Sequence, residues 1–118
     1  MSAFILPAPP LPLVEGLQAT SSGTFLRVGT VELASPGSFL FVSRLGTSSA
    51  LNPAEIRLFD LTAVAPVPGS LLASASTLGA TVSAAVALGA GAFDVQLRLT
   101  TADPAERAIV TSSQLVAG

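Results

Sequence analysis

The chain contains no cysteine, histidine, tryptophan, tyrosine or lysine, and each absence closes a route to function. Without Cys there is no disulfide framework, no thiolate nucleophile and no soft metal site, while the redox compartment stays open. Without His the usual general base, the commonest transition-metal ligand and the side chain that titrates near neutrality are missing. With no Lys either, no Ser has a base to activate it, which excludes nucleophilic serine chemistry. The missing Trp and Tyr deprive a sugar-binding surface of its favoured amphipathic rings. Six Phe are the only aromatics.

Charge is scarce as well. Charged residues make up 10% of the 118 positions, against about 25% in an average soluble domain. The cations are Arg27, Arg44, Arg57, Arg98 and Arg107, and seven acids bring the formal net charge to −2. No basic stripe exists to follow a phosphate backbone, so no nucleic-acid partner is expected. Half of the residues are hydrophobic, enough for one core in a chain the size of one domain. A surface so poor in charge implies that other protein covers part of it.

What is present begins with residues 1–16, which are Pro-rich and apolar at once. Pro7, Pro9, Pro10 and Pro12 favour an extended backbone with few ladder donors. Phe4, Ile5, Leu6, Leu11, Leu13 and Val14 between them would be costly to leave in water. Such an arm either folds back over its own core or reaches onto a neighbouring subunit. It has no positive n-region and its prolines interrupt any apolar helix, so no signal peptide is expected. The uncharged stretch from Gly69 to Phe93 is long enough to span a bilayer. Its Ala, Ser, Thr and Gly contribute little to insertion, so no membrane partner is expected.

Strand-like segments fill the rest. Thr24–Leu33 alternates, with Leu26 and Val28 on one face, Phe25, Arg27, Val31 and Leu33 on the other, and a bulge expected at Gly29. Phe39–Leu45 and Ala54–Val64 follow as strands after the Ser35–Ser38 turn and the loop of residues 46–53. Leu71–Leu88 admits two readings: a helix, since Ala is the best helix former, or two short strands meeting near Leu78 and Gly79, which Gly79, the Ser/Thr density and the β-branched Thr81, Val82 and Val86 favour. The cleanest strand places Phe93, Val95, Leu97 and Leu99 on one face and Asp94, Gln96, Arg98 and Thr100 on the other. Ala108–Val116 closes the chain. Short strands separated by Gly, Pro and Ser turns predict an all-β fold, an antiparallel β-sandwich or jelly roll. It is expected to span residues 17–118, behind an extended Pro-rich arm of residues 1–16.

Two stretches add a resemblance. Ala54-Glu55-Ile56-Arg57-Leu58-Phe59-Asp60-Leu61-Thr62, followed by a Pro/Gly turn, resembles a strand of jelly-roll-like virion domains of tailed bacteriophages and related bacterial modules. Phe93-Asp94-Val95-Gln96-Leu97-Arg98-Leu99-Thr100-Thr101, with Ala108–Val116 after it, resembles the closing hairpin of the same domains. The chain departs from them by having Asp103-Pro104-Ala105-Glu106 in place of a Gly-rich turn, and by its apolar arm. The resemblance implies a capsid-decorating, tail or fibre domain without catalysis, at a virion or other particle surface.

Few constellations offer chemistry. Glu55, Asp60, Asp94, Asp103 and Glu106 carry no spacing that argues for the paired acids of a glycosidase. The Asp103–Glu106 run lacks the dense acid alternation of a Ca²⁺ loop and reads as a turn. Arg57 and Arg98 stand out because they lie inside strands, where each meets an acid across the sheet or a partner at an interface. The sequence therefore predicts a non-enzymatic structural subunit with no cofactor and no metal. Its expected partners are copies of itself and a larger capsid or tail assembly. Phe4, Ile5, Leu6, Leu11, Leu13, Val14, Arg57 and Arg98 are the candidate interface residues. The alternative is a carbohydrate- or peptide-binding β-sandwich of a surface adhesin or tail fibre, with Phe as its stacking platform.

Overall fold

Alternation of apolar and polar side chains requires one face of each strand to be covered and the other wetted. The chain meets that requirement with two antiparallel sheets stacked face to face. A computed structural model describes residues 11–14 and 16–117. Within them lie ten strands: β1 (Leu11–Val14), β2 (Gln18–Thr20), β3 (Leu26–Leu33), β4 (Gly37–Thr47), β5 (Ala54–Asp60), β6 (Ala65–Pro66), β7 (Leu72–Ser74), β8 (Ala80–Leu88), β9 (Gly91–Leu99) and β10 (Ala108–Ala117). One sheet runs β1-β10-β4-β8, with β2 also on β10; the other runs β3-β9-β5-β6, with β7 also on β5. The expected β-sandwich is thus present.

Between the sheets lies an aliphatic core with two rings in it. Phe41, Leu45, Ile56, Leu58, Phe93, Val95, Leu97, Leu99, Val110 and Leu115 are all at most 1% exposed. Burial of each such side chain is worth about 1.5–3 kcal/mol before ordering costs. Two of the polar exceptions, Ser43 and Ser70, are satisfied by neighbouring strands. Ser43 on β4 and Ser113 on β10 face each other across the ladder with their hydroxyls 2.9 Å apart. Ser70 fills the gap in the β5 edge between β6 and β7: its Oγ accepts from the Leu58 amide at 3.1 Å and donates to the Val67 carbonyl at 2.8 Å. That hydroxyl lets the Pro66–Pro68 segment cover a strand edge it could not pair with by amides alone.

Several local expectations change in the structure. The bulge at Gly29 is real, a register shift between Arg27 and Gly29. It reverses the parity of β3, so Gly29, Val31 and Leu33 point inward while Arg27 and Thr30 line up with the outward Gln96 and Asp94. Arg27 therefore does not share a face with Val31 and Leu33. The strand expected to reach Val64 stops at Asp60, whose Oδ1 accepts the amides of Thr62 (2.9 Å) and Ala63 (3.0 Å). That Asx turn offers the backbone a local alternative to the ladder. Leu71–Leu88 holds two strands with Gly79 at φ +82° between them, as expected, but β7 and β8 belong to opposite sheets. Likewise β9 and β10 are not a hairpin: β9 pairs with β3 and β5, β10 with β1, β2 and β4. The intervening turn crosses from one sheet to the other.

Of the segment read as an arm, Leu11–Val14 is a strand of the sandwich, and Leu13 and Val14 are buried in its own core. Phe4, Ile5 and Leu6 lie outside the described residues. No helix among the described residues is long and apolar enough to cross a membrane. The stretch from Gly69 to Phe93 is instead β7, β8 and the start of β9.

The Gly29 bulge is also where β1 and β3 meet, since a Cβ at this position would collide with the Leu13 carbonyl oxygen. Gly29→Ala should therefore lower stability by about 1–3 kcal/mol, the usual range for overpacking. Gly89→Ala, which enters open space, should change it by less than about 1 kcal/mol. Urea midpoints of the two variants provide the comparison.

Candidate functional site

Polar side chains with chemistry to offer gather on the outer face of the β3-β9-β5 sheet, and strand register puts them there. Arg27, Gln96 and Arg57 form one row across the three strands. Glu55 and Arg98 form the next row, and Thr30, Asp94 and Phe59 the row on the other side. Phe25, immediately before β3, lays its ring over two of these strands. The guanidinium carbons of Arg57 and Arg98 sit 3.9 and 4.2 Å from its centroid. Arg57 also lies 5.5 Å from the Phe59 centroid. Such cation–π contacts are worth about 0.5–1 kcal/mol each at partly exposed sites.

The two strand arginines are held in different ways. Arg98 meets an acid across the sheet, as expected: Glu55 Oε1 lies 3.0 Å from both its Nε and its Nη2. Arg57 does not. Its Nε donates to Gln96 Oε1 at 2.8 Å, and no carboxylate pairs with it among the described residues. Burial, and secondarily the Arg98 charge beside it, lower its pKa from the ordinary guanidinium value. The group stays protonated at neutral pH. Asp94 lies beneath the face with its side chain 10% exposed and Arg27 Nη1 3.9 Å from Oδ1, an oxygen that accepts no hydrogen bond.

Glu106 and Asp103 serve the structure. Asn52 Nδ2 donates to Glu106 Oε2 and to the Thr101 carbonyl, both at 2.8 Å, and Asn52 Oδ1 accepts the Thr101 amide. Asp103 Oδ1 accepts the Ala105 amide. The Asp103–Glu106 run is therefore a turn stapled to the loop before β5. Among the described residues no three acids cluster as a metal site would require.

Arg57 and Arg98 thus belong to one cluster, whereas Leu11, Leu13 and Val14 sit on β1 in the opposite sheet. The sequence did not single out Phe25, Phe59 or Gln96 as site residues, and offered Asp94 only among the acids weighed for a glycosidase pair. The alternation of Asp94, Gln96 and Arg98 along β9 marks a common outward face. Their union with β5 and Phe25 depends on a register that only the folded chain supplies.

No family model and no curated protein matches the chain. Among solved structures, the carbohydrate binding module CBM6cm-2 of Cellvibrio mixtus lichenase 5A, in complex with cellotriose, superposes with a TM-score of 0.52. The match covers 90% of this chain and 74% of that one at 14% identity. The likeness is one of fold. It places the chain among jelly-roll-like β-sandwiches and does not show a phage virion origin.

If Phe25 couples to Arg57 as the geometry shows, the double variant Phe25→Leu/Arg57→Met should be more stable than the sum of the single losses implies. The coupling should be about 0.5–1 kcal/mol. A denaturation double-mutant cycle measures it, and additivity within error would deny the contact any energetic weight.

Proposed function

We propose that this chain is a non-catalytic carbohydrate-binding module whose ligand lies across the outer face of the β3-β9-β5 sheet. The observation that carries this reading is the Arg57–Phe25–Arg98 cluster. Sugars need hydrogen-bond donors and acceptors fixed in space, with a flat surface for the apolar side of the ring. Trp and Tyr are missing, but guanidinium groups fixed on Phe25 and flanked by Phe59 offer planar surfaces with donors at their edges. Gln96 and Glu55 supply acceptors that also hold the two arginines in place. The fold shared with a carbohydrate-binding module supports the assignment. The same inventory supports the non-catalytic part of the reading: Glu55 is engaged by Arg98, Asp94 is buried, and no His, Cys or Lys offers a base or nucleophile.

Calorimetry with cello-oligosaccharides and a panel of neutral and acidic polysaccharides should give saturable heat with at least one glycan. Phe25→Ala should weaken that binding at least tenfold, which is about 1.4 kcal/mol, with the β-sheet circular dichroism unchanged. Silence across the whole panel would remove the proposal.

A second reading, an assembly subunit such as a virion decoration or cement protein, is favoured by β8. This nine-residue strand ends its sheet, pairs with β4 alone among the described residues, and contains no charge and no proline. Such an edge lacks the usual protection against pairing with another chain. The β5 segment keeps its part of the phage-domain resemblance, while β9 and β10 do not form the closing hairpin it implied; the scarcity of charge points to assembly as well. On this reading a second copy would add to β8, and sedimentation velocity should show a concentration-dependent dimer. The exposed-site pair Ser83→Lys/Ala85→Lys should dissociate it. A monomer at all concentrations would dispose of self-association.

A further inference from the structure

Three of the five arginines stand on the proposed ligand face, Arg27, Arg57 and Arg98, against Glu55 and Asp94 in the same three rows. Glu32 is on the same side of the sheet, paired with Ala92. Ala92 and Gln96 are four positions apart, which places Glu32 about 13 Å along the strand from the Arg57 row, beyond the roughly 8 Å screening length of physiological salt. In a protein of net charge −2, the rows around Arg57 carry a local surplus of positive charge.

That surplus has an address. Glu55 is committed to Arg98 at 3.0 Å, and Asp94 faces Arg27 at 3.9 Å. Arg57 is left with an amide and two rings. Its Nε is fixed by Gln96, and the guanidinium is braced against Phe25 and Phe59. Its two terminal amino groups donate to no acceptor among the described residues. The root of the fork is locked and its open end is unfilled. The terminal amino groups are open to solvent and no counter-ion among the described residues meets them, so a ligand can reach them. The group that completes the fork is a planar anion accepting two parallel hydrogen bonds, and among glycans that anion is a carboxylate.

We propose that the glycan bound on this face is acidic, a uronate-containing polysaccharide whose carboxylate pairs with the terminal amino groups of Arg57. The proposal rests on the carbohydrate reading above and narrows it. Arg98, 4.2 Å above the same Phe25 ring, flanks the bound carboxylate and adds to its attraction. Arg27, 63% exposed, stands at the other end of the Arg57 row, where a neighbouring sugar of the polymer would lie.

The test is calorimetry of the full chain at low and at physiological salt with four probes: an oligogalacturonate, the same oligomer with its carboxyls reduced to alcohols, cello-oligosaccharide and a sulfated glycan. The oligogalacturonate should bind at least tenfold more tightly than its reduced form, and the gap should shrink as salt rises. Arg57→Gln should erase the gap while leaving weak binding of the reduced oligomer. Glu55→Gln, which frees Arg98, should widen it, and this second variant serves if the first does not fold. Equal binding of the oligogalacturonate and its reduced form overturns the uronate assignment and leaves the carbohydrate reading standing. So does a gap unchanged in Arg57→Gln, or tighter binding of the sulfated glycan. Binding of none of the four defeats both.

Discussion

The pairing of β5 with β9 sets both the inside and the outside of this protein. Its register opposes Ile56 to Leu97 and Leu58 to Val95 on the buried side, and Arg57 to Gln96 and Glu55 to Arg98 on the exposed side. A slip of one residue would turn the aliphatic set to solvent and drive the arginines into the core. Burial of the four aliphatic side chains therefore holds the polar cluster in place as well. The cluster in turn adds cross-strand pairs that agree with the register chosen by the core.

Much of this was legible from residue alternation. β9 could be read face by face because hydrophobic and polar residues alternate without exception from Phe93 to Arg98. The two-strand reading of Leu71–Leu88 rested on Gly79 and the β-branched Thr81, Val82 and Val86. Other features were hidden for identifiable reasons. The parity reversal in β3 comes from a single extra residue, which leaves no trace in a simple period-two count. The shortening of β5 depends on the Asp60 carboxylate finding two amides, a local competition between side chain and ladder. The resemblance of β9 and β10 to a hairpin failed because adjacency in sequence says little about which sheet receives the next strand. The candidate site was legible in its arginines and hidden in Phe25, which lies outside any strand and reaches the cluster only through the fold.

A surface that relies on arginine in place of histidine or lysine has a fixed character. Guanidinium groups keep their charge throughout the physiological range, so the arginines themselves are not proton switches. Their attraction for anions responds to salt far more than to pH. The Gln96 amide and the Phe25 ring contribute no titration either. What varies is geometry: the Arg57 fork is held at its root by one hydrogen bond and two ring contacts, so its orientation survives the loss of any one of them better than a lone surface arginine would.

Strand β10 lies at the centre of its sheet, between β1 and β2 on one side and β4 on the other, although it is the last strand along the chain. During synthesis the first strands must wait for it, with Leu13, Val14 and Phe41 lacking their final cover until residues 108–117 leave the ribosome. Such late, sequence-distant closure makes for slow folding. A nascent chain with so little charge to keep it dispersed is exposed to aggregation in that interval. Helper proteins that shield apolar strands during translation should accordingly raise the yield of this protein.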